Sequence, residues 1–208
     1  MANEMPLTRR GDREGRRRNI LRAASEIVRE LGVDALNMRE IARRAGVSPG
    51  AAYFYYRTKE EIFVAVYAEC VDDLAVAARA DCEAAETLVD LFRMFAGTYL
   101  QFYRDYGRHL NVWALIEPSA VRELPPELVQ RLRVRVIEIF TTIGARMRAL
   151  ADEEGMRLSD SPLAMPLLWM VIGGLAENYS GPRTEASLIS WDDMVSFAAQ
   201  TLLQGLKE

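Results

Sequence analysis

The chain has 208 residues, with 26 Lys and Arg against 30 Asp and Glu, and therefore a formal net charge of −4 at pH 7. Half of the residues are hydrophobic and 27% are charged, which is typical of a folded globular protein and excludes a mainly disordered one. The negative total also argues against a protein that coats nucleic acid with its whole surface. This length suits one large or two small domains.

The first predicted elements are a basic tail and a helix. Residues 1–15 place two glycines and a proline among charges without an apolar period, so we predict a disordered tail. Residues 16–31 show the 3.6-residue apolar period of a helix, and Gly32 supplies the signal for its end.

A helix-turn-helix pattern follows the first helix. Asn37 and Glu40 have the spacing of a capping box at the start of a short helix over residues 38–45. Gly46 ends that helix, and a serine cap with proline at the first helical position begins another over residues 49–56. Two short helices joined by a tight glycine turn are typical of DNA-binding proteins.

The remainder of the chain is predicted to be helical. Thr58 and Glu61 form a second predicted capping box. Apolar periods predict helices near residues 59–80, 87–104, 108–117, 126–151, 162–179 and 190–206. Residues 131–136 alternate as a strand would, but the helical period continues over five turns there. The predicted fold is all-α with about nine helices, a three-helix DNA-binding domain over residues 16–60 and a larger helical bundle over residues 61–208.

The charge is divided unevenly along the chain. Residues 1–60 contain 13 Lys and Arg and 8 Asp and Glu, a net +5. Residues 61–208 contain 13 and 22, a net −9. A basic first quarter joined to an acidic remainder indicates two roles in one chain.

The sequence also indicates where the protein acts. No apolar run approaches the roughly 18 residues of a membrane span, and the polar N-terminus is not a secretory signal. Cys70 and Cys82 are twelve residues apart, which is about 18 Å along one helix and too far for a disulfide. We therefore expect free thiols, a cytoplasmic location and no contact with a membrane.

Residues 37–66, NMREIARRAGVSPGAAYFYYRTKEEIFVAV, carry a specific motif. Its characteristic elements are Ile41-Ala42, Ala45-Gly46-Val47-Ser48, Gly50, Tyr53, Tyr55-Tyr56 and Lys59-Glu60. Together with the helix before it, this window resembles the DNA-binding domain of bacterial TetR-family transcriptional regulators, over about residues 16–66. Ala51 stands where the family usually has Thr or Ser, which leaves the operator sequence open. Beyond about residue 70 the resemblance is only architectural.

The motif predicts how DNA is bound. A major groove about 12 Å wide admits one helix, here residues 49–56. Arg39 is our candidate for reading a base edge, Lys59 for clamping a phosphate, and Tyr56 is expected to pack inward. The predicted DNA-contacting residues are Arg18, Asn37, Arg39, Ser48, Pro49, Gly50, Ala51, Tyr53, Phe54, Tyr55 and Lys59.

The aromatic-rich middle of the chain predicts a ligand cavity. The resemblance implies a small-molecule effector there, and aromatic rings with a few polar tips would suit a small, largely apolar or aromatic molecule. An ordinary core is the alternative use of such a stripe. The predicted ligand-binding residues are Tyr67, Phe95, Tyr99, Phe102, Tyr103, His109, Trp113, Phe140, Trp169 and Met170.

Dimerisation is expected because one helix-turn-helix contacts only a few base pairs, so a palindromic or pseudo-palindromic operator calls for two copies. Residues 163–176 are apolar nearly all round, and residues 190–206 have wide apolar faces after a Ser190 cap. The resemblance implies that these two helices form a four-helix bundle between protomers. The predicted interface residues are Trp169, Gly173, Gly174, Glu177, Val195, Ala198 and Leu202.

The predicted function is a sequence-specific repressor that a small molecule releases from its operator. A corepressed or ligand-activated regulator, and a helical ligand-binding or interaction module without operator binding, stay open as alternatives. One histidine, two cysteines and the lack of a Gly-rich phosphate loop leave little for catalysis, so we expect neither an enzyme nor a metal or cofactor.

Overall fold

The computed structural model describes residues 12–106, 126–181 and 189–207, and within these ranges the chain is all-α. The helices are α1 (Arg13–Leu31), α2 (Met38–Arg44), α3 (Pro49–Tyr55), α4 (Lys59–Ala84), α5 (Leu88–Tyr106), α6 (Pro126–Glu153), α7 (Ala164–Tyr179) and α8 (Trp191–Gly205), with a short 3₁₀-helix at Val33–Ala35. No helix in this part of the chain is both long and apolar enough to cross a bilayer.

The all-α prediction is confirmed, with differences at some boundaries. The stretch 131–136 lies inside α6, so the helical period outweighs the local alternation. The helix predicted near 108–117 lies outside the described residues. The first helix begins at Arg13, three residues earlier than predicted, because Asp12 caps it by accepting a hydrogen bond from the Gly15 amide at 2.7 Å.

The helix ends follow the capping chemistry of the sequence. The Asn37 side-chain oxygen accepts hydrogen bonds from the amides of the second and third residues of α2, each at 3.0 Å. Gly32 ends α1 with a φ of 83°, a conformation that L side chains rarely adopt. Thr58 accepts from the Glu61 amide at 3.1 Å, but the Glu61 carboxylate accepts from the Arg57 amide at 2.6 Å, one residue before the partner that a capping box requires.

The chain divides into two compact units, Met1–Glu69 and Cys70–Glu208, and the division falls inside α4. In the first unit, α1 packs against α2, and α2 packs against α3. Its core includes most of the side chains that the helical periods predict to face inward: Ile20, Ala24, Ile27, Val28, Ile41, Ala42, Ala45 and Ala52. Leu31, which the same period places on the inward face, is instead 61% exposed at the end of α1. These contacts fix the angle between the two short helices, which positions the face described below.

In the second unit, α5 packs against α6, α7 and α8. Apolar side chains from all four helices meet there, and the fully buried ones include Leu88, Leu91, Leu132 and Leu150. The two cysteines, Cys70 and Cys82, are buried and form no disulfide, in agreement with the spacing argument. The core of this unit also contains the cavity that is the candidate ligand site.

Candidate DNA interface and ligand cavity

The turn between α2 and α3 depends on one glycine. Gly46 has a φ of 66°, in the left-handed region that costs other residues roughly 1–2 kcal/mol. Its amide donates to the Arg43 carbonyl at 3.3 Å, and the next amide, of Val47, donates to the Ala42 carbonyl at 3.0 Å. These bonds satisfy the end of α2 and redirect the chain into α3 within a few residues.

The N-terminus of α3 has the predicted cap. The Ser48 hydroxyl oxygen accepts a hydrogen bond from the Ala51 amide at 3.2 Å, and Pro49 occupies the first position. At the other end, Tyr56 is buried as predicted, and desolvation raises the pKa of its phenol. The Arg17 guanidinium carbon lies 5.9 Å from the centre of the Tyr56 ring. The Ser48 cap at its start and the buried Tyr56 ring at its end therefore hold α3 against the rest of the first unit.

The outward face of α3 is aromatic. Tyr53 is 50% exposed and Phe54 is 63% exposed, while Tyr55 is half-buried with its ring edge-on to Phe54 at 5.4 Å. Pro49 and Gly50 are exposed and Ala51 is half-buried. Large exposed aromatics on a short helix mark a surface that is used for recognition.

The first unit also exposes several basic side chains. Arg18, Arg39 and Lys59 are exposed, and within the described residues no ion pair joins any of the three to a carboxylate. The Asn37 oxygen is occupied by its cap, so this residue supports the start of α2 rather than offering an acceptor to DNA. Arg18, Arg39 and Lys59 are therefore exposed cations of the first unit that remain available for phosphates or base edges.

Glu40 has different partners from those predicted. Its carboxylate accepts hydrogen bonds from Arg43 at 2.6 and 2.8 Å and from Arg44 at 2.9 Å, and Arg44 also binds Glu30 at 2.7 Å. These guanidinium groups lower the pKa of Glu40 to about 2. The capping-box prediction is wrong for this side chain because partners three and four residues later on the same helix face offer charged hydrogen bonds.

One basic residue beside the aromatic face was missed at the sequence level. The Arg13 guanidinium carbon lies 5.2 Å from the centre of the Phe54 ring, in the geometry of a cation–π contact. Arg13 fell within the tail that was predicted to be disordered. The cap at Asp12 was the available signal, because Asp followed by a charged first turn is a helix start.

The second unit contains an apolar cavity of about 30 Å³ between α5, α6, α7 and α8. Its walls are Leu88, Leu91, Phe92, Phe95, Phe140, Ile143, Met147, Met165, Leu168, Trp169, Ile172 and Leu203. We call it the inner cavity. It has no polar side chain apart from the indole of Trp169, and its walls include Phe95, Phe140 and Trp169 from the predicted set. The centres of the Phe95 and Phe140 rings lie 5.9 and 5.0 Å from that of Trp169.

The other predicted ligand residues have several locations. Tyr99 lies edge-on to Trp169 at 4.6 Å and near Phe102 at 5.7 Å and Tyr103 at 6.4 Å, which forms an aromatic cluster behind the cavity wall. Burial raises the pKa of the Tyr99 phenol. Met170 differs from the prediction, because it is 57% exposed and points away from the cavity next to inward-facing Trp169.

The remaining predicted ligand residues are Tyr67, His109 and Trp113, of which only Tyr67 is described, and it does not line the cavity. Tyr67 is buried in the first unit and stacks on Phe63 with ring centres 6.2 Å apart. His109 and Trp113 lie outside the described residues. The aliphatic and methionine walls were missed, because nothing in the sequence distinguishes them from ordinary core residues.

Comparison with known proteins agrees with the helix-turn-helix geometry. Residues 20–66 match the family model of bacterial regulatory proteins of the tetR family. The chain is 28% identical over 176 residues to the HTH-type transcriptional regulator BetI of Cronobacter sakazakii, which covers 81% of this chain and 86% of that protein. It is also 28% identical over 166 residues to the class A tetracycline repressor protein from Escherichia coli, covering 78% and 66% of the two chains. Residues 20–66 therefore match the DNA-binding domain of the tetR family.

A solved TetR-family structure shares the fold. The regulator PfmR from Thermus thermophilus superposes with a TM-score of 0.62 over 91% of this chain and 99% of its own, at 20% identity. At that identity the similarity concerns the fold alone.

The predicted interface residues fall into two groups. Gly173, Gly174, Ala198 and Leu202 are half-buried and Glu177 is exposed, so all five are accessible on α7 and α8. Trp169 and Val195 differ from the prediction, because they are buried within their own unit with 4% and 1% exposure. Because α7 is apolar on nearly all sides, its sequence does not indicate which side faces inward.

Proposed function

We propose that this TetR-family protein is a sequence-specific DNA-binding repressor that acts as a homodimer in the cytoplasm and leaves its operator when a small molecule binds. The observation that carries the proposal is the exposed face of α3 with Tyr53 and Phe54, in a unit that also exposes the available cations Arg39 and Lys59. A short capped helix with exposed aromatics and neighbouring positive charge suits entry into a major groove.

Each part of that face has a distinct task. Lys59, the first residue of α4, supplies a point charge to a phosphate. Arg39, in the first turn of α2, has the reach and the donor fork to read a guanine edge. Phe54 contacts a thymine methyl, and Tyr53 donates its hydroxyl to a phosphate.

The dimer is supported by an apolar stripe on α7. Leu163, just before the helix, and Leu167, Met170 and Gly174 within it follow the 4-3-4 spacing of a helix–helix seam, and the first three are large and exposed. On α8, Phe197 is 67% exposed. Two copies that pair these faces would cover apolar surface that a monomer leaves in water.

Release of the operator is proposed to pass through α7. This helix provides Met165, Leu168 and Trp169 to the inner cavity and Met170 to the proposed dimer face. The cavity has space for only about a water-sized group, so a larger ligand must displace its walls. Moving α7 changes the dimer geometry, and with it the spacing of the two recognition helices.

The test measures binding to duplex DNA from the region beside the protein's own gene over a range of salt concentrations. Lys59→Ala should weaken binding to any sequence and reduce the slope of log affinity against log salt by about one. Arg39→Ala should cost about 1–3 kcal/mol on the preferred sequence and much less on unrelated DNA.

The matched control is Arg93→Ala, which removes an exposed arginine from α5 in the second unit and should change neither quantity. Absence of salt-dependent DNA binding by the wild-type protein would overturn the proposal. Equal effects of Arg39→Ala on preferred and unrelated DNA would remove Arg39 from base reading.

A further inference from the structure

A second cavity of about 120 Å³ adjoins the inner one in the second unit. It lies among the C-terminal half of α6, the segment 158–161, the start of α7 and Leu206 after α8. We call it the outer cavity. Unlike the inner cavity, it has the polar side chains Arg148, Ser159, Asp160 and Ser161 in its wall. Arg148, Asp160 and Ser161 are exposed, so the outer cavity is open to solvent on this side. The two spaces therefore offer an apolar compartment next to a polar one.

The two cavities share part of their walls. Met147, Met165 and Leu168 line both, so these side chains form the partition between them. Methionine side chains are unbranched and adapt readily to a new shape. A partition with two methionines can rearrange to join the compartments without moving the backbone far.

Gly144 leaves space at the edge of this partition. A β-carbon placed on Gly144 would lie 3.9 Å from the Met165 sulfur and 4.0 Å from Arg148 Nη1. The Arg148 guanidinium and the Met165 thioether therefore both approach the point that a Gly144 β-carbon would occupy. Because Met165 lines both cavities, the positive charge of Arg148 in the outer cavity lies close to the partition.

We propose that the effector is an amphipathic carboxylate whose apolar part enters the inner cavity and whose carboxylate binds Arg148 in the outer cavity. This inference rests on the proposed ligand-controlled function and specifies the ligand's chemistry. Ser159 and Ser161 supply hydroxyl donors, and the planar guanidinium of Arg148 can donate two parallel hydrogen bonds to one carboxylate. Asp160 in the same wall repels additional negative charge, which favours a single carboxylate over a dianionic phosphate.

The inner cavity must enlarge to take more than about one carbon group. Displacing Met147 and Met165 provides that volume and presses on α7, whose opposite face carries the proposed dimer contacts. The same movement that admits the apolar part therefore acts on the element proposed to control DNA release.

The experiment titrates the full-length protein calorimetrically with dodecanoate and with dodecan-1-ol, both below their aggregation limits. Wild-type protein should bind both saturably and prefer dodecanoate. Arg148→Gln should lower the affinity for dodecanoate by roughly tenfold or more, because a charge-assisted hydrogen bond is lost. It should change the affinity for dodecan-1-ol by less than about threefold. Arg157→Gln removes a nearby exposed charge that lines neither cavity and should change neither affinity.

Gly144 variants test the passage between the compartments. Gly144→Leu should weaken both ligands by roughly tenfold or more, because its side chain occupies the edge of the partition. Gly144→Ala should weaken binding much less than Gly144→Leu does, because its added carbon makes only ordinary contacts. Thermal unfolding of each variant separates lost binding from lost folding.

Different outcomes overturn different statements. Equal dodecanoate affinity in Arg148→Gln and Arg157→Gln overturns the assignment of the headgroup. No saturable binding of either ligand by folded wild-type protein overturns the amphipathic site. The same samples are assayed for duplex DNA binding without ligand: failure there contradicts the regulator proposal, whereas calorimetry alone decides the ligand site.

Discussion

Arg13 shows how a single residue can extend a recognition surface. It is the first residue of α1 and is far in sequence from α3, yet its guanidinium lies over the Phe54 ring at 5.2 Å. The contact keeps a positive charge beside an exposed aromatic that is proposed to enter the major groove. A cation held there adds to phosphate binding and orients Phe54 at the same time.

We predict that Arg13→Ala weakens binding to duplex DNA and lowers the slope of log affinity against log salt by about one, because one phosphate contact is lost. Arg13→Lys should keep the slope, since the charge stays. Fluorescence anisotropy with a labelled duplex between 50 and 200 mM salt provides the measurement. A slope for Arg13→Ala equal to that of wild type would show that Arg13 does not contact phosphate.

Glu40 is the residue that holds two arginines of the first unit in place. Its pKa is lowered from the usual 4.5 to about 2 by hydrogen bonds from Arg43 and Arg44. The lowered pKa means that the ionised form stabilises the fold fully above about pH 4.5. This contribution is lost as the pH falls from about 4.5 to about 2.

Glu40→Gln should therefore lower Tm at pH 7, and the difference from wild type should shrink steadily below pH 4.5. The measurement is thermal unfolding by circular dichroism across that pH range at fixed protein concentration. Glu83→Gln, at an exposed position of α4, is the control and should show no such convergence. A difference that stays constant down to pH 2 would contradict the charged contact.

At the scale of elements, two glycines of the helix-turn-helix have different roles. Gly46 is required for folding, whereas Gly50 is proposed to serve DNA binding. Gly46 needs its left-handed φ of 66° to make the turn. Gly50 has no such φ and no neighbouring atom within 4 Å of an added β-carbon. Its exposure at the start of α3 instead suits close approach of the backbone to DNA.

The two alanine variants should therefore behave differently. Gly46→Ala should destabilise the protein by about 1–2 kcal/mol and lower Tm by roughly 2–8 °C. Gly50→Ala should keep or raise Tm, because alanine favours a helix, and should weaken DNA binding through its added methyl group. Unfolding and DNA titrations on both variants provide the check; undiminished affinity in Gly50→Ala would rule out close approach at that position.

Local signals explain which elements were predictable. Caps at Asn37, Ser48 and Ser190 and the end at Gly32 act through bonds within about three residues, so the sequence alone locates these helix ends. The 3.6-residue apolar period likewise identifies α6 as one helix, including residues 131–136, where the residues alternate as in a strand. These caps and the helical period do not depend on tertiary contacts with the rest of the chain.

Tertiary choices were less predictable. Trp169 and Met170 are neighbours on an apolar helix, yet one is buried in the cavity wall and the other is exposed. Their hydrophobicity does not distinguish them, because the choice depends on which side of α7 meets α5. Glu40 is a similar case, since the backbone and two arginines compete for one carboxylate.

At the scale of the molecule, the charge and the proposed interfaces divide along the chain. The net +5 of residues 1–60 accompanies the DNA-binding face, and the net −9 of residues 61–208 accompanies the cavity and dimer faces. An acidic second part does not compete for phosphates, which leaves DNA contact to the helix-turn-helix. In the proposed dimer, cooperation between two copies depends on α7 and α8.

Phe197 and Met170 are the residues that most directly test this cooperation. In a two-fold interface each substitution acts twice, so Phe197→Glu places two carboxylates in the buried seam. We predict that Phe197→Glu or Met170→Glu converts a dimer of about twice 23.5 kDa into a monomer, measured by sedimentation equilibrium. Operator affinity should fall with it, because one recognition helix contacts only a half-site.

Ile137→Glu is the matched control, since this α6 residue is similarly exposed at 58% but lies outside the proposed seam. It should remain dimeric and keep its operator affinity. If Phe197→Glu and Ile137→Glu sediment alike as dimers, the α7–α8 face is not the interface. If Phe197→Glu becomes monomeric with full operator affinity, the dimer exists but binding does not require two half-sites.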